Sequence, residues 1–359
     1  MALERLKIPE NLVVRIPSEA MRATVIDLFV ANRMPEDHAR QAADVLIWAD
    51  LHGVDSHGVS NMMTYYLQWL KSGAINPVPV WTTIREAPGT ATIDSDRGLG
   101  LVVGPAAMRM AIEKAKVVGI GSVVVNNGRH FGAAGYHAAM AIEHGMLGMA
   151  MTVGGLSVVP TFGAKAMVGL NPLAFAAPAG VESPFIFDAS MSSVAGNKIR
   201  LARRIGASAA GGWIAAPDGS PIMEDAPVPD EFMMLPLGAT RDIGSHKGYS
   251  LAVMVDILCG VLAGVGAGFN AGNNVSHHFL AYRIDAFTDL DTFKEQMDVY
   301  LRGLRETPPA PGHTRVQYAG LGMGEALADR GKNGIPYHRE VVEQFRLWAS
   351  EHGTPDRLS

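Results

Sequence analysis

Two histidines stand out by the company they keep. His57 lies in Asp55-Ser56-His57-Gly58, a polar turn that ends an amphipathic helix. His130 lies in Asn127-Gly128-Arg129-His130-Phe131-Gly132, between a valine-rich strand and a helix. Loops at the carboxyl ends of strands are where α/β proteins build their sites. An imidazole there titrates near neutral pH and can take or give a proton, and Ser, Asn or Arg beside it can set its tautomer. The plainer reading of each is a polar turn held by its own hydrogen bonds. In Gly244-Ser245-His246-Lys247-Gly248-Tyr249, Lys247 precedes an apolar run, where it could meet an anion together with free backbone N–H groups. Asp188-Ala189-Ser190-Met191-Ser192-Ser193 closes a strand with three hydroxyls suited to ribose or phosphate, and Asn171-Pro172 follows Gly169. Taken singly, each of these reads as a turn.

Other chemistries are excluded. The dinucleotide fingerprint fails: Gly264-Val265-Gly266-Ala267-Gly268 follows an apolar helix instead of joining strand to helix, and Gly98-Leu99-Gly100 has the wrong spacing to Gly104. His130, His137 and His144 recur at an interval too long to chelate one ion; as a set, like His277 and His278, they read as packed or surface histidines. No Gly-x-Ser-x-Gly elbow and no Walker loop occurs. The single cysteine, Cys259, cannot form an internal disulfide or ligate a cluster. Lys plus Arg number 30 against 35 Asp plus Glu, a net charge of −5 with no basic run, so no nucleic-acid partner is expected. Residues 1–9 lack an apolar core of signal-peptide length, which reads as cytoplasmic. Residues 249–269 are apolar over bilayer length, but Asp256 and four glycines interrupt them. They read as a helix buried in the core or at an oligomer interface, with no membrane partner.

The elements that must carry these residues follow from periodicity. The 359 residues are 48% apolar and 18% charged, enough for one large or two intimate domains. A strand is expected over 12–16. Ser18 reads as the N-cap of a helix bearing Met21, Val25, Leu28 and Phe29 on one face. A second helix opens at Pro35 with Ala42, Val45, Leu46 and Ala49, and a third covers 61–71. Beyond Trp81, β-like runs at 80–84, 91–93, 122–126, 148–153, 185–188 and 279–284 alternate with helices at 105–118 and 133–144; a last helix covers 337–350. Such alternation argues an α/β fold. Residues 307–312 read as a loop.

In order, Asp55-Ser56-His57-Gly58-Val59, Asn127 to Gly132, Gly169-Leu170-Asn171-Pro172-Leu173, Phe187-Asp188-Ala189-Ser190, Gly196-Asn197-Lys198-Ile199 and Ser245 to Tyr249 resemble the type 2 malate/L-lactate dehydrogenase family over residues 15–345. That family also holds ureidoglycolate, sulfolactate and diketogulonate oxidoreductases and imino-acid reductases. The resemblance implies a non-Rossmann fold binding NAD or NADP, no metal, and a homodimer or higher oligomer with the cofactor near the interface. It also implies a helical part, 1–78, packing with the C-terminal helix in 330–359, and an α/β part, 79–329, for cofactor and substrate.

Residue by residue, His57 matches a histidine assigned as proton donor in some members, with Ser56 beside it, and His130 one assigned as acid/base in others. Asp188, Ala189 and Ser190 match a cofactor-contacting segment, as do Asn171 and Pro172. Lys247, with His246 before it, matches a lysine near the cofactor. Gly322-Met323-Gly324-Glu325 resembles a stretch that closes over the dinucleotide. Asn61 and Thr64 stand where members carry arginine, Tyr65 where an aromatic is common, and Gly154 where a strand usually ends in Ser or Thr. Asn61, Tyr65 and Arg129 are therefore the residues expected at the substrate. The implied reaction moves a hydride between nicotinamide and a small 2-hydroxy or 2-oxo acid. One of His57 and His130 is the acid/base and the other orients or polarises. The alternatives are reduction of a cyclic imino acid, or a ureidoglycolate or sulfolactate dehydrogenase.

Overall fold

The computed structural model describes residues 9–358, the side chain of Arg204 excepted. The leading stretch read as lacking a signal-peptide core lies, as far as residue 8, outside the described residues.

The chain begins with β1 (Val13–Ile16) and three helices, α1 (Ser18–Ala31), α2 (Glu36–Leu51) and α3 (Val59–Lys71). Ser18 is the first residue of α1 and not its cap: Pro17 holds that position, and its carbonyl accepts the Ala20 and Met21 N–H groups. Met21, Phe29, Leu46, Met63 and Tyr66 from these helices share one core with Ile335, Tyr337 and Phe345 from β13 (Ile335–His338) and α10 (Arg339–His352) at the far end of the chain. β13 also pairs antiparallel with β1.

A mixed seven-stranded sheet follows. It is built from β2 (Thr82–Ala87), β3 (Thr90–Asp94), β4 (Ile120–Gly128), β5 (Met146–Thr152), β6 (Leu173–Ala177), β7 (Phe185–Ala189) and β12 (Val275–Arg283), in the order β2-β3-β4-β12-β5-β6-β7. β3 and β4 run parallel, and every other neighbouring pair is antiparallel. The α4 helix (Gly100–Val118) and the short α5 (Ala134–Ala139) cover one face around Val123, Ala150 and Phe279. The approach is close. A Cβ on Gly121 would lie 1.8 Å from the Ala111 carbonyl oxygen, and one on Gly148 2.0 Å from that of Ala138.

Two helix expectations change. The 105–118 helix starts earlier, at Gly100, with Pro105 inside it. Proline normally marks a helix start, but this one is carried past its first turn. The 133–144 helix is two pieces, α5 and a 3₁₀ turn at Ile142–His144 stopped by Gly145 at φ 64°. A second lobe holds α6 (Gly196–Arg204), the two-residue strands β8 (Ser208–Ala209), β9 (Ile214–Ala215), β10 (Ala226–Pro227) and β11 (Met233–Met234), and α7 (Ser245–Asp256) around Val158, Ile199, Ile214 and Ala252. Residues 249–269 are not one buried helix. α7 passes into a π turn at Ile257–Val261 and breaks at Gly264 and Gly266, both with positive φ, while Leu251, Met254, Ile257, Val261 and Leu262 remain exposed. No helix among the described residues is long and apolar enough to cross a membrane. Nothing singled out in the sequence pattern marks β6 as a strand, or α6, α8 (Leu290–Arg305) and α9 (Leu321–Asn333) as helices.

Candidate active site

His57 closes a 3₁₀ turn, Asp55–His57, between α2 and α3; His130 leaves the end of β4. The fold brings their rings within 5.8 Å, centroid to centroid, and 4° of parallel. Burial lowers the His57 pKa to about 4. Burial first, then the neighbouring imidazoles and Arg200, lowers that of His130 to about 3. Both rings are neutral at pH 7.

Their proton positions differ. The Gly132 N–H points at His130 Nδ1, 3.3 Å away, and an N–H can only donate. Nδ1 must therefore be bare, and Nε2 carries the proton. The hydroxyl of buried Tyr66 lies 2.8 Å from the same Nδ1 and donates to it as well. His57 Nδ1 faces the Ser56 hydroxyl at 2.9 Å, a partner that can accept as readily as donate. His57 can thus hold protons on both nitrogens, while His130 is fixed as an Nε2–H donor.

Each loop is anchored from below. Under His57, Asp50 Oδ2 accepts the Val59 N–H at 3.1 Å and the Tyr337 hydroxyl at 2.8 Å. A Cβ on Gly58 would fall 1.6 Å from Asp50 Oδ1, so only glycine lets the chain cross here. Burial, with Asp55 nearby, raises the Asp50 pKa to about 7. Arg330 on α9 ties the assembly to the C-terminal part by pairing with Asp55 and donating to the Asp50 carbonyl. Behind His130, His277 Nε2 donates to the Arg129 carbonyl at 3.1 Å, its Nδ1 accepts from Thr152 Oγ1 at 2.7 Å, and its ring stacks on Phe131 at 4.9 Å.

The three expected substrate residues fare differently. Arg129 donates to the Ala74 and Gly128 carbonyls, both at 2.6 Å, so its guanidinium is engaged by backbone. Asn61 donates to the Asp55 carbonyl at 2.7 Å and closes the His57 turn. Tyr65 is half-buried and carries over its ring a cation the sequence reading did not single out: Arg200, 5.5 Å from the ring centroid. Arg200 comes from α6. The same helix sends Asn197 Nδ2 to the Ser56 carbonyl at 2.6 Å. Lys198 beside it is half-buried, and burial lowers its pKa; no acidic group among the described residues pairs with it. Arg129 is expected at the substrate from its place beside His130 in the chain; Arg200 lies 70 positions beyond that histidine.

Among the described residues no hydrogen bond or ring contact joins the expected cofactor residues to the histidine pair. Lys247 is exposed in the first turn of α7, whose N-cap Gly244 has φ 106° and offers no side-chain cap. His246 receives Arg241 Nη1 at 2.9 Å. Ser192 Oγ donates to the Val194 carbonyl at 2.7 Å and so accepts from Ser190 Oγ at 3.0 Å. Asp188 accepts the Gly135 N–H at 2.7 Å, and burial raises its pKa to about 6; Ala189 pairs with Leu173 across β6 and β7. Asn171 is fully buried with its amide spent on the Gly154 N–H (3.0 Å) and the Ala252 carbonyl (2.8 Å), and the Pro172 carbonyl accepts the Thr152 N–H. The Asn171 amide is therefore engaged within the protein. On α9, Glu325 is paired with Arg315, and a Cβ on Gly324 would meet the Ser183 hydroxyl at 2.4 Å. No group of three metal-ligating side chains occurs among the described residues.

Residues 16–346 match the family model for malate/L-lactate dehydrogenase. The chain is 37% identical over 353 residues to the malate dehydrogenase of Pyrococcus horikoshii, covering 96% of this chain and 97% of that one. It is 34% identical over 342 residues to the L-sulfolactate dehydrogenase of Methanocaldococcus jannaschii, covering 93% and 96%. The crystal structure of malate dehydrogenase from Entamoeba histolytica superposes with a TM-score of 0.91 at 31% identity, covering 96% of this chain and 99% of that one.

Proposed function

The chain belongs to the malate/L-lactate dehydrogenase family, and on that premise we propose that it is an NAD(P)-dependent oxidoreductase of small 2-hydroxy and 2-oxo acids. The observation that carries the reading is the pair of neutral, parallel imidazoles with unequal proton positions.

The residues present fit a dinucleotide. The uncapped N-terminus of α7 with Lys247 and His246 offers N–H groups and charge to a diphosphate. Lys198 is a half-buried cation with no acidic partner among the described residues, and half-buried Ser190 offers a hydroxyl braced by buried Ser192. On this reading Asp188, Ala189, Asn171 and Pro172 frame the dinucleotide site, and Gly324 with Glu325 closes it from α9. We propose that this fold is non-Rossmann, since its sheet is antiparallel but for β3 and β4.

When bound, a nicotinamide would supply or accept the hydride at C2 of the acid. In reduction, negative charge collects on the carbonyl oxygen. His130 Nε2–H meets that charge as a fixed donor and cannot release its proton without becoming an anion. His57, charged, gives the oxygen a proton from Nε2 while its Nδ1–H donates to Ser56. In oxidation the neutral His57 takes the hydroxyl proton back. Burial keeps it neutral in the free chain, and a substrate carboxylate arriving nearby raises its proton affinity. His57 is thus the acid/base and His130 the polarising group.

The helical part, 9–78 with 330–358 among the described residues, serves as the platform for the His57 turn, and 79–329 as the cofactor and substrate part. The exposed apolar residues along α7 support a homodimer or higher oligomer. One buried cysteine, Cys259, suits the cytoplasm.

The test mixes the purified chain with NADH or NADPH and follows absorbance loss with pyruvate, oxaloacetate, sulfopyruvate, a 2-oxo amide and a cyclic imino acid. Turnover of a 2-oxo acid is expected; turnover of the imine alone would make it an imino-acid reductase, and failure to bind either nucleotide would overturn the reading.

A further inference from the structure

A 2-oxo acid carries its carboxylate one bond from the reacting carbonyl, so whatever grips that carboxylate must lie close to His57 and His130. An anion left unpaired in a half-buried site is costly, so a cation is needed. The Arg129 guanidinium is held by two carbonyls. Asn61 and Thr64 carry no charge.

Arg200, an exposed cation on α6, lies within electrostatic reach of His130. It sits on α6 three residues beyond Asn197, the residue that latches this helix to the Ser56 carbonyl beside His57. Its guanidinium is braced rather than neutralised. It lies over the Tyr65 ring, with Nη1 3.4 Å from the Tyr65 hydroxyl and 2.9 Å from Asn197 Oδ1. No carboxylate among the described residues pairs with it, and only Nη1 is hydrogen-bonded, so Nε and Nη2 remain free to donate. Tyr65 lies on α3, one residue from Tyr66, whose hydroxyl touches His130. The field of Arg200 also reaches His130, where it opposes a positive ring. A planar fork held over an aromatic ring, with donors free, is suited to bidentate capture of a carboxylate.

We propose that Arg200, held by Tyr65 and Asn197, binds the substrate carboxylate and selects 2-oxo acids over neutral carbonyl compounds. The proposal rests on the oxidoreductase reading above. It moves the substrate-binding cation from α3, where the sequence pattern has lost it, to α6.

The experiment compares wild type with Arg200→Gln and Arg200→Lys by steady-state kinetics on the 2-oxo acid that wild type reduces. It also measures binding of oxamate, a carboxylate probe, in the presence of reduced nucleotide. In Arg200→Gln, KM and the oxamate Kd should rise roughly 10- to 100-fold, as expected for loss of charged hydrogen bonds. The kcat and the nucleotide Kd should change by less than about threefold, and Arg200→Lys should recover part of the loss. Reduction of the matching 2-oxo amide should be unaffected. Unchanged KM and oxamate affinity would overturn the proposal and leave the oxidoreductase reading intact. Equal loss of nucleotide affinity would also overturn it, by giving Arg200 to the dinucleotide. A wild type that neither binds reduced nucleotide nor turns over any 2-oxo acid would overturn both.

Discussion

The imidazoles of His57 and His130 lie within 4° of parallel, yet Gly132 fixes the proton of His130 on Nε2 while Ser56 leaves that of His57 free to move. Similar surroundings thus give two different proton roles, which can be separated by experiment. His57→Ala should lower kcat roughly 10²–10⁴-fold, and His130→Ala roughly 10²–10³-fold, with reduced-nucleotide affinity preserved in both. Reduction needs a protonated His57, so its rate should rise as pH falls, and oxidation should rise with pH. That dependence should vanish in His57→Ala and persist in His130→Ala. A profile lost only in the His130 variant would reverse the roles.

Tyr66 supports His130 without being its sole partner, because the Gly132 N–H meets the same nitrogen. Tyr66→Phe should cost about 1 kcal/mol of stability and less than about tenfold in kcat. A loss as deep as that of His130→Ala would mean that the phenol itself moves a proton.

Gly58 is kept by contact with Asp50 and not by its backbone angles, since its φ is −84°. Gly58→Ala should destabilise the fold by roughly 1–3 kcal/mol or more, as overpacking does, and misplace His57. In an Asp50→Ala background the obstructing carboxyl is gone, so the same substitution should cost less. Equal cost in both backgrounds, read by urea melts, would contradict this contact.

Much of this site is legible in the sequence, and the limits have physical causes. His57 and His130 can be found because each sits in a polar turn next to a periodic element. Tyr66 cannot, because it falls on the apolar face of α3 and its partner lies 64 residues on. Asp50 and Tyr337 are 287 residues apart and meet only when the chain's ends share one core. Pro105 misleads because proline usually opens a helix, and 249–269 mislead because apolar length says nothing of where glycine will break it. The α/β alternation is readable, but strand direction is not: β12 inserts between β4 and β5 from far along the chain.

Acid should destabilise the protein by a route these same residues set. Burial lowers His57, His137 and His278 to about 4 and His130 and His277 to about 3, from 6.5. In the unfolded chain each gains a proton below pH 6.5 that the folded chain refuses, so their contribution is full above 6.5 and is lost as pH falls toward 4. Asp50 and Asp188, raised from 3.8 to about 7 and about 6, act in the opposite sense, losing stability as pH rises. Five histidines outweigh two carboxyls, so the urea midpoint should fall between pH 7 and pH 5. An unchanged or higher midpoint at pH 5 would contradict these burials.

The central claim is that this site passes a hydride to the carbonyl carbon of a small 2-oxo acid. It is tested most directly by giving the purified chain NADH or NADPH deuterated at the transferring C4 position together with the 2-oxo acid it reduces, and weighing the product. The account predicts one deuterium, retained at C2 of the 2-hydroxy acid. A product without deuterium, or oxidation of the nucleotide with no hydroxy acid formed, would contradict it.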